Sequence, residues 1–311
     1  MPELPEVETV VRDLNKKIKD YKIVDFWSEW KKALKGVTYA EFKKNIIDRE
    51  ISGVRRIGKN IFIDLSGGKT LYLHLKMTGH LLIKNEKLGI HPLPSPLPKG
   101  EGAEKKVDFF ADRVNQYIRH KWTLKRGGET LMMDFSDLRK FGKIVLVDTD
   151  KVKELPEIKK LGIDAMDKKF DLKKFEEILA KKQKSIIGIV LMDQYLIAGI
   201  GNIYRSEILF EAGVDPKRKV SSLKPREIER IFLQIKEILK KAIKMRGTSD
   251  SDYRDTSGKP GGFQKVLKVY QRAGKKCLGS QALLKNKKCD NIIERITLGQ
   301  RSVFWCKKCQ K

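Results

Sequence analysis

After its first eighteen residues the hydrophobic pattern of this chain changes period near residue 150, and that change does most to limit its fold. Before about residue 150 the apolar residues fall in short runs closed by glycine-rich turns; from about residue 153 they recur at helical spacing. Ile61-Phe62-Ile63-Asp64-Leu65 leads through Ser66-Gly67-Gly68 to Thr70-Leu71-Tyr72-Leu73-His74-Leu75, which reads as a hairpin. Residues 122–125, the turn Arg126-Gly127-Gly128 and residues 130–134 repeat the pattern, and residues 142–147 add another strand. One amphipathic helix leads in, with Val7, Val10, Val11, Leu14 and Ile18 at helical spacing over residues 5–18. In the second half, residues 170–180 are amphipathic and residues 186–191 lead into more helix. Residues 221–245 form the clearest helix: Ser and Pro225 start it, Ile228, Ile231, Phe232, Ile235, Ile238, Leu239 and Ala242 make one stripe, and Gly247 stops it. The plan is a β-rich half, a helical half and a tail from about residue 267 that holds every cysteine.

At 311 residues, 40% hydrophobic and 34% charged, the chain can bury two or three cores, which excludes wholesale disorder. No apolar run reaches the eighteen or so residues of a membrane span. The opening MPELPEVETV has neither the basic start nor the apolar centre of a signal peptide, so a cytoplasmic protein without a membrane partner is expected. The net charge of +27 calls for a polyanion, most simply nucleic acid, bound by phosphate neutralisation and counterion release. Charge alone does not decide this, since lysines such as Lys31-Lys32 and Lys240-Lys241 read equally well as solvated helix faces.

Two stretches interrupt the plan. Residues 91–102 hold four of the ten prolines within seven positions, which predicts an extended insertion of about 88–106 rather than a strand. Residues 247–262 form a long polar loop with several glycines, a composition that predicts mobility and function.

The chemistry begins at the N-terminus. Pro2 follows Met1, and removal of Met1 would leave a secondary amine. An α-amino group has a pKa of about 7.7–8.0 against about 10.4 for lysine, so much more of it is free base near neutrality. Such an amine can form a Schiff base with an aldehydic sugar carbon. Glu3 and Glu6 flank Leu4-Pro5, where a carboxyl tuned by burial can serve as general acid–base; dipole complementarity at a helix start accounts for them equally well.

Pro2-Glu3-Leu4-Pro5-Glu6-Val7-Glu8-Thr9 resembles the start of the formamidopyrimidine-DNA glycosylases. Residues 74–79 (HLKMTG), 137–142 (DLRKFG), 199–207 (GIGNIYRSE) and 300–306 (QRSVFWC) are similar to that family's segments in the same order. The resemblance implies an α+β protein: an N-terminal helix with a β-sandwich (1–152), a helical part with a helix–two-turn–helix motif (153–266) and a C-terminal zinc β-hairpin (267–311). It implies a monomer that acts on damaged double-stranded DNA, flips the lesion out of the duplex and excises oxidised purines. Pro2 would be the Schiff-base nucleophile and Glu3 the general acid–base. Lys59 and Arg301 would supply protons for β- and δ-elimination.

Met77, Arg139 and Phe141 match the residues that fill the gap left by the flipped nucleotide, although Met77 and Phe141 taken alone read as core. His120, Lys184 and Asn202 match DNA-contact positions, with a structural or surface role the plain alternative for His120. The loop 247–262 resembles the family's lesion-recognition loop, with Thr248, Ser249 and Tyr253 as candidate contacts.

One zinc is expected on Cys277, Cys289, Cys306 and Cys309. Cys306-Lys307-Lys308-Cys309 is a standard ligand pair, but eleven residues separate Cys277 from Cys289 where the family has two, implying a second insertion at about 278–286. All four histidines lie at or before position 120, so none substitutes nearby. Three rival readings stand beside this one: an endonuclease VIII-like glycosylase for oxidised pyrimidines, a non-catalytic zinc-containing DNA-binding protein, and a membrane-surface or RNA-binding basic protein supported only by charge.

Overall fold

The computed structural model describes residues 1–85, 108–250, 252–280 and 289–311. The proline-rich insertion therefore lies outside the described residues, as does most of the second one. Helix α1 (Leu4–Ile18) starts where Pro5 loses no needed amide and Glu6 reaches back to accept the Glu3 N–H at 2.7 Å. It buries Val7, Val10, Val11, Leu14 and Ile18, the stripe expected from spacing.

The next elements are β1 (Lys22–Ser28), β2 (Leu34–Lys35), α2 (Tyr39–Ile46), β3 (Ile51–Ile57), β4 (Asn60–Leu65), β5 (Lys69–His74), β6 (His80–Asn85), β7 (Ile118–Arg126), β8 (Glu129–Ser136) and β9 (Lys143–Asp148). They form two sheets, ordered β1-β7-β8-β6 and β2-β9-β5-β4-β3, antiparallel except where β2 joins β9. Between β7 and β8, Gly127 and Gly128 both take positive φ, as a two-residue hairpin turn requires. Phe26, Trp122, Met133 and Phe135 of one sheet share a core with Ile61, Ile63, Leu71 and Ile144 of the other, making the sandwich.

Helix α3 (Pro156–Lys159) packs Ile158 with Phe62 and Tyr72 of the sandwich, and the second core lies within β10 (Ile163–Asp164), α4 (Leu172–Ala180), α5 (Ile187–Val190), β11 (Ile197–Ala198), α6 (Asn202–Ala212) and α7 (Pro225–Lys244). α7 begins at Pro225, later than the serines suggested, because Val220–Ser222 form a separate 3-10 turn. Leu4 belongs to this second core while Val7 and the rest of α1 belong to the first, so the N-terminus sits at the joint between them. A third cluster joins Phe210 of α6 to the four cysteines and the hairpin β12 (Glu294–Leu298) and β13 (Arg301–Trp305). Among the described residues no helix is long and apolar enough to cross a membrane.

Candidate active site

Pro2 is buried, in a recess lined by Met1, Met77, Ile203, Thr248, Asp250 and Tyr253. The chain is pinned there by the Leu4 N–H, which donates to the Gly199 carbonyl at 3.0 Å. Gly199 has φ +111, and a Cβ on it would sit 2.4 Å from the Leu4 side chain, so glycine is required twice over.

The Glu3 carboxylate reaches across to another helix. It accepts from the N–H groups of Gly201 at 2.8 Å, Ile203 at 2.9 Å and, more weakly, Tyr204 at 3.4 Å. These are the free amides at the start of α6, where the helix dipole favours a negative charge. Gly201 leaves the room: a Cβ there would lie 2.4 Å from the Glu3 carboxyl carbon. The Gly-Ile-Gly-Asn run is thus a cradle for a carboxylate of the chain's first turn.

Glu6 lies beneath it, fully enclosed. It accepts from the Tyr204 hydroxyl at 2.5 Å and the Thr248 N–H at 2.7 Å as well as from Glu3. Burial and then the Glu3 charge push its pKa up to about 7, against these hydrogen bonds. Lys59 follows Gly58 out of β3, is buried, and donates from Nζ to the Ile200 carbonyl at 3.0 Å. Burial holds its ammonium below the usual lysine range; Glu3 and Glu6 oppose this and Arg301 adds to it. Glu3, Lys59 and the field of Arg301 therefore meet at one spot, although the residues are far apart in sequence. Arg301 itself is exposed at the start of β13, after the turn Gly299-Gln300.

Met77 and Phe141, which read alone as core, are 41% and 51% exposed. The Arg139 guanidinium stacks 4.6 Å above the Phe141 ring and approaches Met77 Sδ at 3.0 Å. Two loops hold the trio: the Arg139 N–H donates to Thr78 Oγ1 at 3.1 Å and the Gly142 N–H to Asp137 at 2.7 Å. Lys184 is exposed in the turn after α4, and Asn202 opens α6.

His120 stands apart from these groups. It is 1% exposed, stacked between Phe26 and Phe135, and bonded through Nδ1 to Ser28 Oγ at 2.9 Å. Burial pushes its pKa down to about 4, leaving a neutral ring in the sandwich core. The polar loop also departs from expectation, because Thr248, Tyr253, Asp255 and Thr256 are buried. Thr248 Oγ1 lies 3.0 Å from the Tyr204 hydroxyl, and Ser249 Oγ donates to the Tyr253 carbonyl at 2.6 Å. Arg246 ties the loop to Asp13 of α1 and to Asp255. Tyr204 and Arg205 carry no role in the sequence reading. Their signal was an arginine and a glutamate inside an apolar run, Ile203 to Phe210, that is buried all round.

The four cysteine sulfurs lie within 4.8 Å of one another and all are buried. Cys277 and Cys309 are 3.7 Å apart and Cys289 and Cys306 3.8 Å. A tetrahedron of Zn–S bonds of about 2.3 Å sets sulfurs about 3.8 Å apart, so the donor set fits one zinc ion. The long connection after Cys277 does not prevent it from joining the other three.

Known proteins match the chain along its length. The family model described as the formamidopyrimidine-DNA glycosylase N-terminal domain matches residues 1–144. The H2TH domain of the same enzymes matches 161–254, and a zinc finger found in FPG and IleRS matches 287–311, which omits Cys277. The formamidopyrimidine-DNA glycosylase of Carboxydothermus hydrogenoformans is 37% identical over 100% of both chains. A structure of a Lactococcus lactis Fpg mutant in complex with a Fapy-dG-containing DNA aligns with TM-score 0.78 and 29% identity over 100% of both chains. The wild-type protein of that organism in complex with an oxidised-pyrimidine-containing DNA gives TM-score 0.77 and 29% identity, again over 100% of both.

Proposed function

The chain belongs to the formamidopyrimidine-DNA glycosylase family, and from that premise we propose that it is a bifunctional glycosylase and abasic-site lyase that removes oxidised purines from double-stranded DNA. The observation that carries this reading is the Glu3 carboxylate cradled on α6 beside buried Pro2 and Lys59.

Loss of Met1 frees the Pro2 amine. Its nitrogen bonds to C1′ of the flipped nucleotide as the glycosidic bond breaks; the base leaves with the bonding pair and takes a proton from water, and the amine's own proton passes to the Glu3 carboxylate. Glu3, held by amides, protonates the ring oxygen so that the sugar opens to the Schiff base. Removal of a C2′ proton then expels the 3′-phosphate, and removal of a C4′ proton expels the 5′-phosphate. Lys59, with its lowered proton affinity, and Arg301 hand protons to the departing groups. Met77, Arg139 and Phe141 fill the vacated stack, and Lys184 and Asn202 contact phosphates. His120 supports the sandwich behind them. The zinc on Cys277, Cys289, Cys306 and Cys309 is structural: four thiolates close its shell and shape the hairpin that presents Arg301. We further propose a monomer of three parts, 1–152, 153–266 and 267–311, that works in the cytoplasm on nucleoid DNA.

The test is borohydride trapping on a duplex carrying 8-oxoguanine opposite cytosine. Wild type is expected to give a covalent adduct that Pro2→Gly abolishes, with strand cleavage lost in Glu3→Gln. The oxidised-pyrimidine complex of the relative makes a thymine glycol duplex the natural second substrate. An adduct only there would mark the endonuclease VIII-like specificity. An adduct on neither, with DNA still bound, would leave a binding protein.

A further inference from the structure

Arg205 is 1% exposed, yet among the described residues no carboxylate is hydrogen-bonded to it. Its Nη1 donates to the Gly188 carbonyl of α5 at 3.1 Å. Its Nη2 donates to Asn202 Oδ1 and, at 3.3 Å, to the Ser302 carbonyl of β13. The Nε–H has no hydrogen-bond partner among the described residues. One guanidinium thus spans α5, the first residue of α6 and the hairpin residue next to Arg301. Burial pulls its pKa down to about 10 despite the nearby Glu3 charge, so holding a cation here carries a cost that the three acceptors must offset. A second contact marks the same joint. A Cβ on Gly188 would lie 2.7 Å from the Pro216 carbonyl and 2.8 Å from a methyl of Leu298, so the hairpin packs directly on α5.

We propose that Arg205 is a positioning residue that sets Asn202 and Arg301 at a fixed separation, so that two phosphates of the lesion strand are engaged together. The proposal rests on the roles given above to those two residues. The planar fork matters because only a guanidinium offers separate donors to three acceptors in fixed directions. A lysine would keep the charge but reach fewer of them. The hydrogen bond to Asn202 Oδ1 also fixes the orientation of that amide, turning its NH2 toward the Tyr270 hydroxyl.

The experiment compares wild type, Arg205→Lys, Arg205→Met, Arg301→Ala and the double variants on the 8-oxoguanine duplex, reading the ratio of δ- to β-elimination product. Both Arg205 variants are expected to keep the borohydride adduct while the δ fraction falls by about tenfold, since small misplacements of a reacting group are costly. In the Arg301→Ala background the same changes should have little further effect, the non-additivity of residues that act as a unit. A wild-type δ fraction in Arg205→Lys, or full additivity with Arg301→Ala, would overturn the proposal. Arg205→Lys is the informative variant if Arg205→Met fails to fold. If wild type itself forms no adduct, the failure belongs to the proposed chemistry. Positioning is then read from affinity for a duplex with a stable abasic-site analogue, where additive losses in Arg205→Lys and Arg301→Ala would again overturn it.

Discussion

Glu6 is a carboxyl with three donors and, among the described residues, no ion-pair partner, buried beside another carboxylate, so its proton is held up to about pH 7. Because the folded pKa lies above the unfolded value, the native state binds the extra proton between about pH 4.5 and 7. Its contribution to stability therefore falls as pH rises through that window, by roughly 3 kcal/mol in all. The half-buried His74 and the buried His120, both held near pH 4, slope the other way because the unfolded state protonates first as pH falls below 6.5. Only a difference isolates Glu6. Thermal melts at pH 5 and pH 8 are expected to show that Glu6→Gln gains on wild type at the higher pH; parallel profiles would contradict a proton at Glu6. His120 gives a second residue-scale prediction. Its ring fills space between Phe26, Phe135 and Trp122, so His120→Ala should cost about 2–4 kcal/mol in denaturant unfolding. It should leave the salt dependence of DNA binding unchanged, whereas a direct phosphate contact would show the reverse.

At the scale of elements, the start of α6 is where two ends of the chain become one site. Gly201→Ala keeps an ordinary backbone, with φ −132, but its methyl would occupy the place of the Glu3 carboxyl. Single-turnover base excision should drop by about 100-fold while the melting temperature changes little, the mark of a displaced catalytic group. Equal excision by Gly201→Ala would mean that the cradle is structural only. This cradle was not legible beforehand, since Glu3 and its amide donors lie 198 or more residues apart and nothing local distinguishes a helix-start glutamate from one that caps another helix. Elements that bury one face were legible: α1, the β4–β5 and β7–β8 hairpins and α7 follow from periodicity alone. α6 was not, because burial on every side erases the period, and its identity came only through the family motif. Met77 and Phe141 misled in isolation because an exposed wedge and a core residue have the same chemistry.

Across the whole molecule, α1 and the zinc cluster do the joining. α1 gives Leu4 to one core and Val7 onward to the other, so Pro2 and Glu3 cannot shift without both halves responding. The third cluster reaches the helical core through Phe210 of α6, which places the zinc hairpin on the same helix whose other end cradles Glu3. Metal and active site are therefore coupled through one helix of 11 residues. Cys277 is the ligand that tests this coupling, because it lies before the matched zinc-finger segment and beyond an enlarged first loop, yet its sulfur is within bonding geometry of the rest. A longer loop adds only a modest closure entropy, on the order of 1 kcal/mol for an eleven-residue connection in place of two. Cys277→Ser should still fold its sandwich but bind zinc less tightly, read by competition with a chromogenic chelator. Its δ-elimination should fall before β-elimination does, since Arg301 depends on the hairpin while Pro2, Glu3 and Lys59 are built from the other two cores. Stoichiometric, chelator-resistant zinc in Cys277→Ser would remove Cys277 from the ligand set; loss of both eliminations in step would show that the hairpin supports the whole cleft rather than Arg301 alone.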